Sequence, residues 1–458
     1  MPDRFVVALD CGSTNWKAGL FSPSLDLLAT AAIPVSYTHY GPIHYDFPAE
    51  HAWESAVAVI GEVCEQAGID APFVTDVALS SQAQTFCFVG ADGNAVSRMV
   101  SWLDRGAVVA AEEAGTALGE NFHDHCSFPT PIPQLQLCKA RQMLAESPAC
   151  RAASLASLPG YLAGRLGVGN VTDENLAAMG GLYSLAERGW WPDALSFAGL
   201  TPTQLPRLVP LGGVVVMPRD CRQTGLSAGT RVVFAGNDQT CGAYGNGISE
   251  HRVLVTLGTA LVAYRCAGTE RGPYHAAAFW GPYPGGQYYE LATRDEGCLA
   301  LDWVRRELFP GHSLAEFDDM ALAYLSDVSD SSTLFHPDQI GVREALPGTA
   351  NSAEAAYATL EGIGFSLRTL VEDGLGIPHG GSAVQIAGGG ATSTVWRQII
   401  ADILGRPTLP ATGDSLRGAA AMALGLAVDA TDSLERCEPN PERTRQMERR
   451  YRRWLAHE

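Results

Sequence analysis

Lysine is almost missing from this chain. It occurs twice in 458 residues, at Lys17 and Lys139, and every other basic side chain apart from histidine is arginine. Acidic residues outnumber lysine and arginine by 50 to 31, for a net charge of −19. Such an acidic molecule is not built to wrap a polyanion, so no nucleic-acid partner is expected. An anionic ligand would have to be met locally, by backbone N–H groups, a few cations or a metal. Paired cysteines are missing too. The eleven cysteines run singly from Cys11 to Cys437, without a CxxC. This argues against a zinc site or a disulfide framework and suits a reducing cytoplasm. No run of about 18 apolar residues occurs, so no membrane partner is expected. The opening MPDRFVVALD lacks the basic and apolar regions of a secretory leader. Neither the GxxxxGK(S/T) nor the GxGxxG phosphate fingerprint is present.

What is present reads as a globular protein, with 46% hydrophobic and 18% charged residues. The length suggests two or three domains. The first elements read as strands at 4–9, 16–21 and 27–37, a helix at 49–67 and a strand at 77–79. The helix carries Trp53, Ala56, Val57, Ile60 and Val63 at spacings of three and four. Strands alternating with helices argue for an α/β domain. The second half repeats the opening: a strand at 252–257, a Gly258-Thr259 turn, a strand at 261–264 and a third at 288–292. Helices follow at 299–308 and 353–373, the latter capped by Asn351 with Glu354. A strand at 383–387 and helices at 393–404 and 415–428 complete the pattern. Two related halves are expected, 1–247 and 248–458, divided in the Gly-rich stretch YGNGISE and facing each other across a cleft. The Arg-rich tail RTRQMERRYRRW reads as a solvated helix with an aromatic anchor.

Four turns carry chemistry. In ALDCGSTNWK, a strand ends near Asp10, turns through Gly12, Ser13 and Thr14, and resumes behind Lys17. Such a turn exposes backbone N–H groups that suit phosphate oxygens, or it is an ordinary hairpin. Asp10 stands where a hydrated Mg²⁺ could sit on those phosphates. Gly258 and Thr259 form the matching turn in the second half. Ile386 to Ser393, IAGGGATS, joins a strand to a helix through more glycine than a cap requires, which favours contact with a ring or ribose. In FAGNDQTCG, Asp238 opens a helical segment of small residues. It reads either as the helix cap or as a general base.

In order along the chain, these stretches resemble the FGGY carbohydrate kinases of the actin, hexokinase and Hsp70 ATPase superfamily. ALDCGSTNWKAGLF and VTLGTA resemble the two phosphate motifs. SSQAQTF and SWLDRG resemble the sugar-contacting segment, AGNDQTCGAYGNG the segment of the catalytic aspartate, and IAGGGATSTVWRQIIADILGRP the nucleotide signature, which SLRGAAAMALG continues. The resemblance implies two ribonuclease-H-like domains, an N-terminal one at 1–247 and a nucleotide-binding one at 248–458, with an interdomain cleft. It implies ATP-dependent phosphorylation of a sugar or polyol hydroxyl, with Mg²⁺. Asp238 would be the base and a substrate contact, and Asp10 the metal-placing group. Gly12, Ser13, Thr14, Lys17, Gly258 and Thr259 would hold phosphates. Gly389, Gly390 and Ser393 would lie at the adenosine. Gln82, Gln84, Trp102 and Asp104 would line the sugar pocket, with Trp102 as core and Asp104–Arg105 as a surface pair standing against that reading.

The chain departs from the family in its acceptor region. Ala83-Gln84 replaces a Met-His or Arg-Glu pair, and 131–137 lacks the Lys and Trp expected after Pro. The Gly-Glu-Arg-x-Pro loop is reduced to Val342–Pro347, and Ser415 lies near the place of a glutamate. An unusual acceptor is therefore expected, a ketose such as xylulose or a related alcohol. Fuculose, ribulose, sedoheptulose or glycerol are alternative acceptors. A non-catalytic nucleotide switch of the actin type is the alternative from another class. The expected location is the cytoplasm, and a homodimer is one assembly open to the chain.

Overall fold

A computed structural model describes residues 4–119, 121–250, 252–295, 297–325, 333–339, 351–429 and 435–456. The reduced loop Val342–Pro347 lies outside the described residues. The chain forms two compact units. The first comprises residues 1–247, 269–289 and 413–429, and the second residues 248–268, 290–412 and 430–458.

The first unit is built on a six-stranded sheet. Its strands are β1 (Phe5–Cys11), β2 (Asn15–Phe21), β3 (Leu27–Pro34), β4 (Val74–Ser81), β5 (Gly213–Val216) and β6 (Arg231–Asn237), in the order β5-β6-β4-β1-β2-β3. β1, β2 and β3 form an antiparallel meander, while β1, β4 and β6 run parallel. The parallel strands are apolar and buried along almost their whole length, as strands covered on both faces must be. Helix α1 (Ala49–Ala67) makes the crossover from β3 to β4, with the bounds its periodicity predicts. Trp53, Ala56, Ile60 and Val63 are buried against the sheet, and Gly68 ends the helix in the left-handed conformation.

On the other face lie helix α3 (Asp238–Gly245) and helix α6 (Ser415–Leu424). Leu416, Ala419, Ala420 and Ala423 of α6 pack on Val6, Ala8, Ala78 and Val233 of the sheet. A methyl group on Gly418 would land on the Cys241 carbonyl, and one on Gly245 would lie 2.8 Å from the Gly418 nitrogen. The two backbones therefore meet directly. Helix α2 (Gln136–Glu146) belongs to a separate cluster, with Leu137, Cys138, Ala140 and Leu144 buried.

In the second unit, strands β7 (Val253–Leu257) and β8 (Leu261–Gly268) form an antiparallel hairpin. Strand β9 (Gln287–Arg294) lies beside β8 in the sheet order, and β10 (Val384–Ala387) and β11 (Thr408–Pro410) extend β7 in parallel. Helix α4 (Ser352–Thr369) is capped by Asn351, whose Oδ1 accepts the Glu354 N–H at 2.8 Å. Helix α5 (Thr394–Leu404) follows β10. Helix α7 (Pro441–Leu455) is less solvated than its composition suggests. Tyr451 and Trp454 are buried, and so is Arg450, which grips both carboxylate oxygens of Glu361 at 2.5 and 2.6 Å. No described helix is long and apolar enough to cross a membrane.

The glycine crossing yields a prediction. Gly418→Ala must push α6 off α3, at a cost of about 1–3 kcal/mol for overpacking. Thermal unfolding should shift down by roughly 1–2 °C per kcal/mol for a chain of this size. An unchanged midpoint would show that the helices tolerate separation.

Candidate active site

The site of the first unit assembles at the C-terminal ends of its parallel strands. Asp10 is the next-to-last residue of β1 and lies directly opposite Lys17 of β2, so both side chains stand on one face of the sheet. Asp10 is buried and Lys17 exposed. Ser415, the first residue of α6, donates its hydroxyl to Asp10 Oδ2 at 2.6 Å. Asp10 Oδ1 is buried without a protein partner. Burial pushes the Asp10 carboxyl up, and the Asp414 charge adds to this, while the Ser415 hydroxyl and Lys17 pull it down.

The turn from Gly12 to Thr14 is wired one way. Its carbonyls are taken by protein donors: Cys11 O by the Gln82 N–H, Gly12 O by Gln82 Nε2, Ser13 O by the Tyr37 hydroxyl and Thr14 O by the Val35 N–H. The N–H groups of Gly12, Ser13 and Thr14 have no acceptor among the described residues. The second unit repeats the pattern. Gly258 O and Thr259 O accept from the N–H groups of Cys298 and Gly297, while the N–H groups of Gly258 and Thr259 have no acceptor among the described residues. Turns tied down by their carbonyls, with free N–H groups, are concave anion sites.

Asp238 is the first residue of α3, and the cap is its neighbour. Asn237 Oδ1 accepts the Thr240 N–H at 2.8 Å. Asp238, half-buried, accepts the Gln239 N–H at 2.8 Å. Desolvation, then the charge of Asp10, push its carboxyl up to about 7. Asn175 fixes this corner. Its Oδ1 accepts from the Asn237 backbone N–H and side-chain Nδ2, and its Nδ2 donates to Thr240 Oγ1 and Pro282 O. Gly236, at φ 86°, makes room for it: a Cβ there would lie 2.8 Å from Asn175 Oδ1.

Gln82 and Gln84 follow the end of β4, and both are buried. Gln82 Oε1 and Gln84 Nε2 have no protein partner. The half-buried Trp102 hangs its N–H on Thr85 Oγ1 at 3.0 Å. Asp104 is buried, and its oxygens accept from the N–H groups of Tyr45 and Gly106 and meet His44 Nδ1 at 3.3 Å, so it holds a loop together.

The remaining residues lie in the second unit. Gly388, at φ 86°, runs so close to Leu257 that a Cβ would overlap the Leu257 carbonyl. Gly390 packs on Trp396 and Leu257. A Cβ on Gly389 would meet no protein atom within 4 Å, so packing does not demand glycine there. Ser393 caps α5 through the Trp396 N–H at 3.0 Å.

The structure thus brings Asp10, Lys17, Asp238 and the 12–14 turn together in one unit. It brings Gly258, Thr259 and the 388–390 turn together in the other. Sequence reasoning left Ser415, Asn175 and Lys139 without a role in the site. Among the described residues, no cluster of three or more His, Cys, Asp or Glu stands ready for a metal.

Known proteins resemble this chain. The family model for the N-terminal domain of the FGGY family of carbohydrate kinases matches residues 5–245, and that for the C-terminal domain matches residues 253–427. A gluconokinase of Bacillus licheniformis is 23% identical over 87% of this chain and 82% of its own length. A xylulose kinase of Streptomyces rubiginosus is 27% identical over 80% of this chain and 77% of its own. The solved xylulose kinase of Rhodospirillum rubrum superposes with a TM-score of 0.85 at 22% identity, covering 99% of this chain and 98% of that one. The fold is the two-domain actin-like ATPase fold.

The raised Asp238 value predicts a pH-dependent cost in metal-free protein. An aspartate titrates near 3.9 in an unfolded chain, so the unfolded state gives up its proton first. Stability is then lost as pH rises from about 4 through 7. Asp238→Asn should raise the unfolding midpoint by roughly 2–4 °C at pH 8 and hardly at all at pH 4. An equal shift at both pH values would contradict this electrostatic account.

Proposed function

The chain belongs to the FGGY family of carbohydrate kinases, phosphotransferases with sugar or polyol hydroxyls as acceptors, and from that premise we propose that it transfers the γ-phosphoryl group of ATP to a hydroxyl of a ketose such as xylulose. One observation carries the reading. Asp238 is spared the capping role by Asn237 and is held with a carboxyl value near neutrality, as a general base requires.

The acceptor hydroxyl gives its proton to Asp238 as its oxygen attacks the γ-phosphorus. The bond from that phosphorus to the bridging oxygen breaks, and ADP leaves. The free N–H groups of Gly12, Ser13 and Thr14, with Lys17, take phosphate oxygens, and those of Gly258 and Thr259 serve the same end. Gly389 and Gly390 lie against the adenosine, on a turn whose following helix is set by the Ser393 cap. Gln82, Gln84 and Trp102 face the acceptor, and Asp104 shapes their loop. Mg²⁺ bound with ATP would neutralise phosphate charge. The partnerless Asp10 Oδ1 fits the group that would hold it through water, with Ser415 fixing the other oxygen.

ADP release from Mg-ATP across ketoses, aldoses, polyols and gluconate tests the function. One strong acceptor is expected. Asp238→Asn should cut its turnover by about 10²–10⁴-fold while ATP still binds. Retained turnover in that variant would end the general-base reading. Independently, Gly389→Ala should leave the unfolding midpoint unchanged, since the protein has room for the methyl, and raise the KM for ATP about tenfold. An unchanged KM would place the nucleotide elsewhere.

A further inference from the structure

Lys139 is one of the two lysines of the chain, and it is buried. It sits on α2, whose buried face turns toward the acceptor segments. Its Nζ donates to Gln84 O at 3.0 Å and Ser101 O at 2.8 Å and stands 5.6 Å from the centre of the Phe86 ring. A buried lysine ordinarily pairs with a carboxylate. Here the hydrogen-bond acceptors are two backbone carbonyls, from the segments that carry Gln82–Gln84 and Trp102–Asp104. Gln84 also has φ 58°, a left-handed conformation that a glutamine adopts only when its surroundings hold it there. Its side-chain Nε2 is a buried donor without a partner among the described residues, and Gln82, which lines the same small cavity, has its Oε1 buried as an acceptor without one. Each such group costs free energy until something fills it. A hydroxyl, which both donates and accepts, answers the pair; a carboxylate does not.

We propose that Lys139 is a positioning residue of the acceptor site: it holds Gln84 in its left-handed conformation and pins the Trp102 loop beside it, so that the Gln82 and Gln84 amides meet the hydroxyls of an uncharged acceptor. This rests on the kinase reading for the acceptor, but not for the clamp. The Lys139 charge goes to backbone carbonyls and is not offered to the substrate. An ammonium has three N–H donors and a neutral amine two, so both carbonyl bonds survive deprotonation. Desolvation holds this lysine down to about 7 against the pull of the nearby Asp104 charge and, more weakly, of Cys138, and its deprotonation therefore does not release the clamp.

A stability cycle tests the clamp without any acceptor. Lys139→Met is compared in wild-type protein and in the Gln84→Gly background, where the left-handed backbone costs nothing. The loss of unfolding midpoint should be clearly smaller in the Gln84→Gly background. Equal losses would overturn the clamp. If Lys139→Met does not fold, Lys139→Gln, which keeps one donor, carries the same cycle. With the acceptor found in the panel, Lys139→Met should raise its KM about tenfold and leave kcat and the KM for ATP within about threefold. Parallel losses in kcat and both KM values would mark a merely structural lysine and overturn the positioning role. Gluconate as the preferred acceptor would overturn the uncharged pocket. Absence of turnover with every compound, alongside a positive stability cycle, would sink the kinase reading and leave the clamp standing.

Discussion

Two helix backbones touch at Gly245 and Gly418, and the corner that holds Asp10 and Asp238 depends on that contact. α3 begins at Asp238 and α6 at Ser415, and both helices lie over the ends of β1, β4 and β6. Each helix delivers one group toward Asp10: a neighbouring carboxylate from α3 and a hydroxyl from α6. The delivery is accurate because helices crossing on glycine approach more closely than any side chain permits. Asn246 locks the same crossing from its end. Its Nδ2 donates to Gly413 O at 2.9 Å, and its Oδ1 accepts the Gly413 N–H at 2.7 Å. An error in this packing would reach the acidic pair directly, since about two turns of α3 and one of α6 separate it from the contact.

The electrostatics of the corner follow from the same geometry. Asp10 and Asp238 face one another's field inside a chain that is already strongly acidic. Two like charges in a desolvated site resist simultaneous ionisation, and a cation or a proton relieves them. Lys17 answers Asp10 from across the strand pair, and the helix N-termini add partial positive charge. The unfilled Oδ1 of Asp10 and the outward N–H groups of the 12–14 turn complete a site in which anionic phosphate and divalent cation would satisfy each other's surroundings. The net charge of the molecule opposes an anionic ligand, and the local backbone is arranged to overcome this.

What could be read from the sequence was local. The helix at Ala49–Ala67, the Asn351 cap and the two strand–turn–strand openings depend on periodicity and on neighbours within a few residues. Asp238 showed the limit of such reading. An aspartate opening a helix is a fair cap, and only the coordinates reveal that Asn237, one residue earlier, holds that post. The residues without an assigned role interact over long separations. Ser415 meets Asp10 across 405 positions, Asn175 meets Asn237 across 62, and Lys139 meets Gln84 and Ser101 across 55 and 38. The tail helix was misjudged for the same reason, because Arg450 is charged in sequence but finds Glu361 in space.

The phosphate and acceptor sides of the site are built on different physical terms, and this explains why one was easier to read. Phosphate is bound by backbone N–H groups, which any short glycine-containing turn can present, so its recognition is written in a few adjacent residues. On the proposed reading, the acceptor is met by side chains whose aim is set from elsewhere: Gln82 is tied to Gly12, the left-handed Gln84 has its carbonyl bonded by a lysine on another helix, and Trp102 hangs on Thr85. Xylulose kinase and gluconokinase stand at similar distances from this chain, and the replacement at Ala83-Gln84 falls on the segment where those supports converge. On the proposed reading, specificity follows the strained backbone and its clamp rather than the turns that take phosphate.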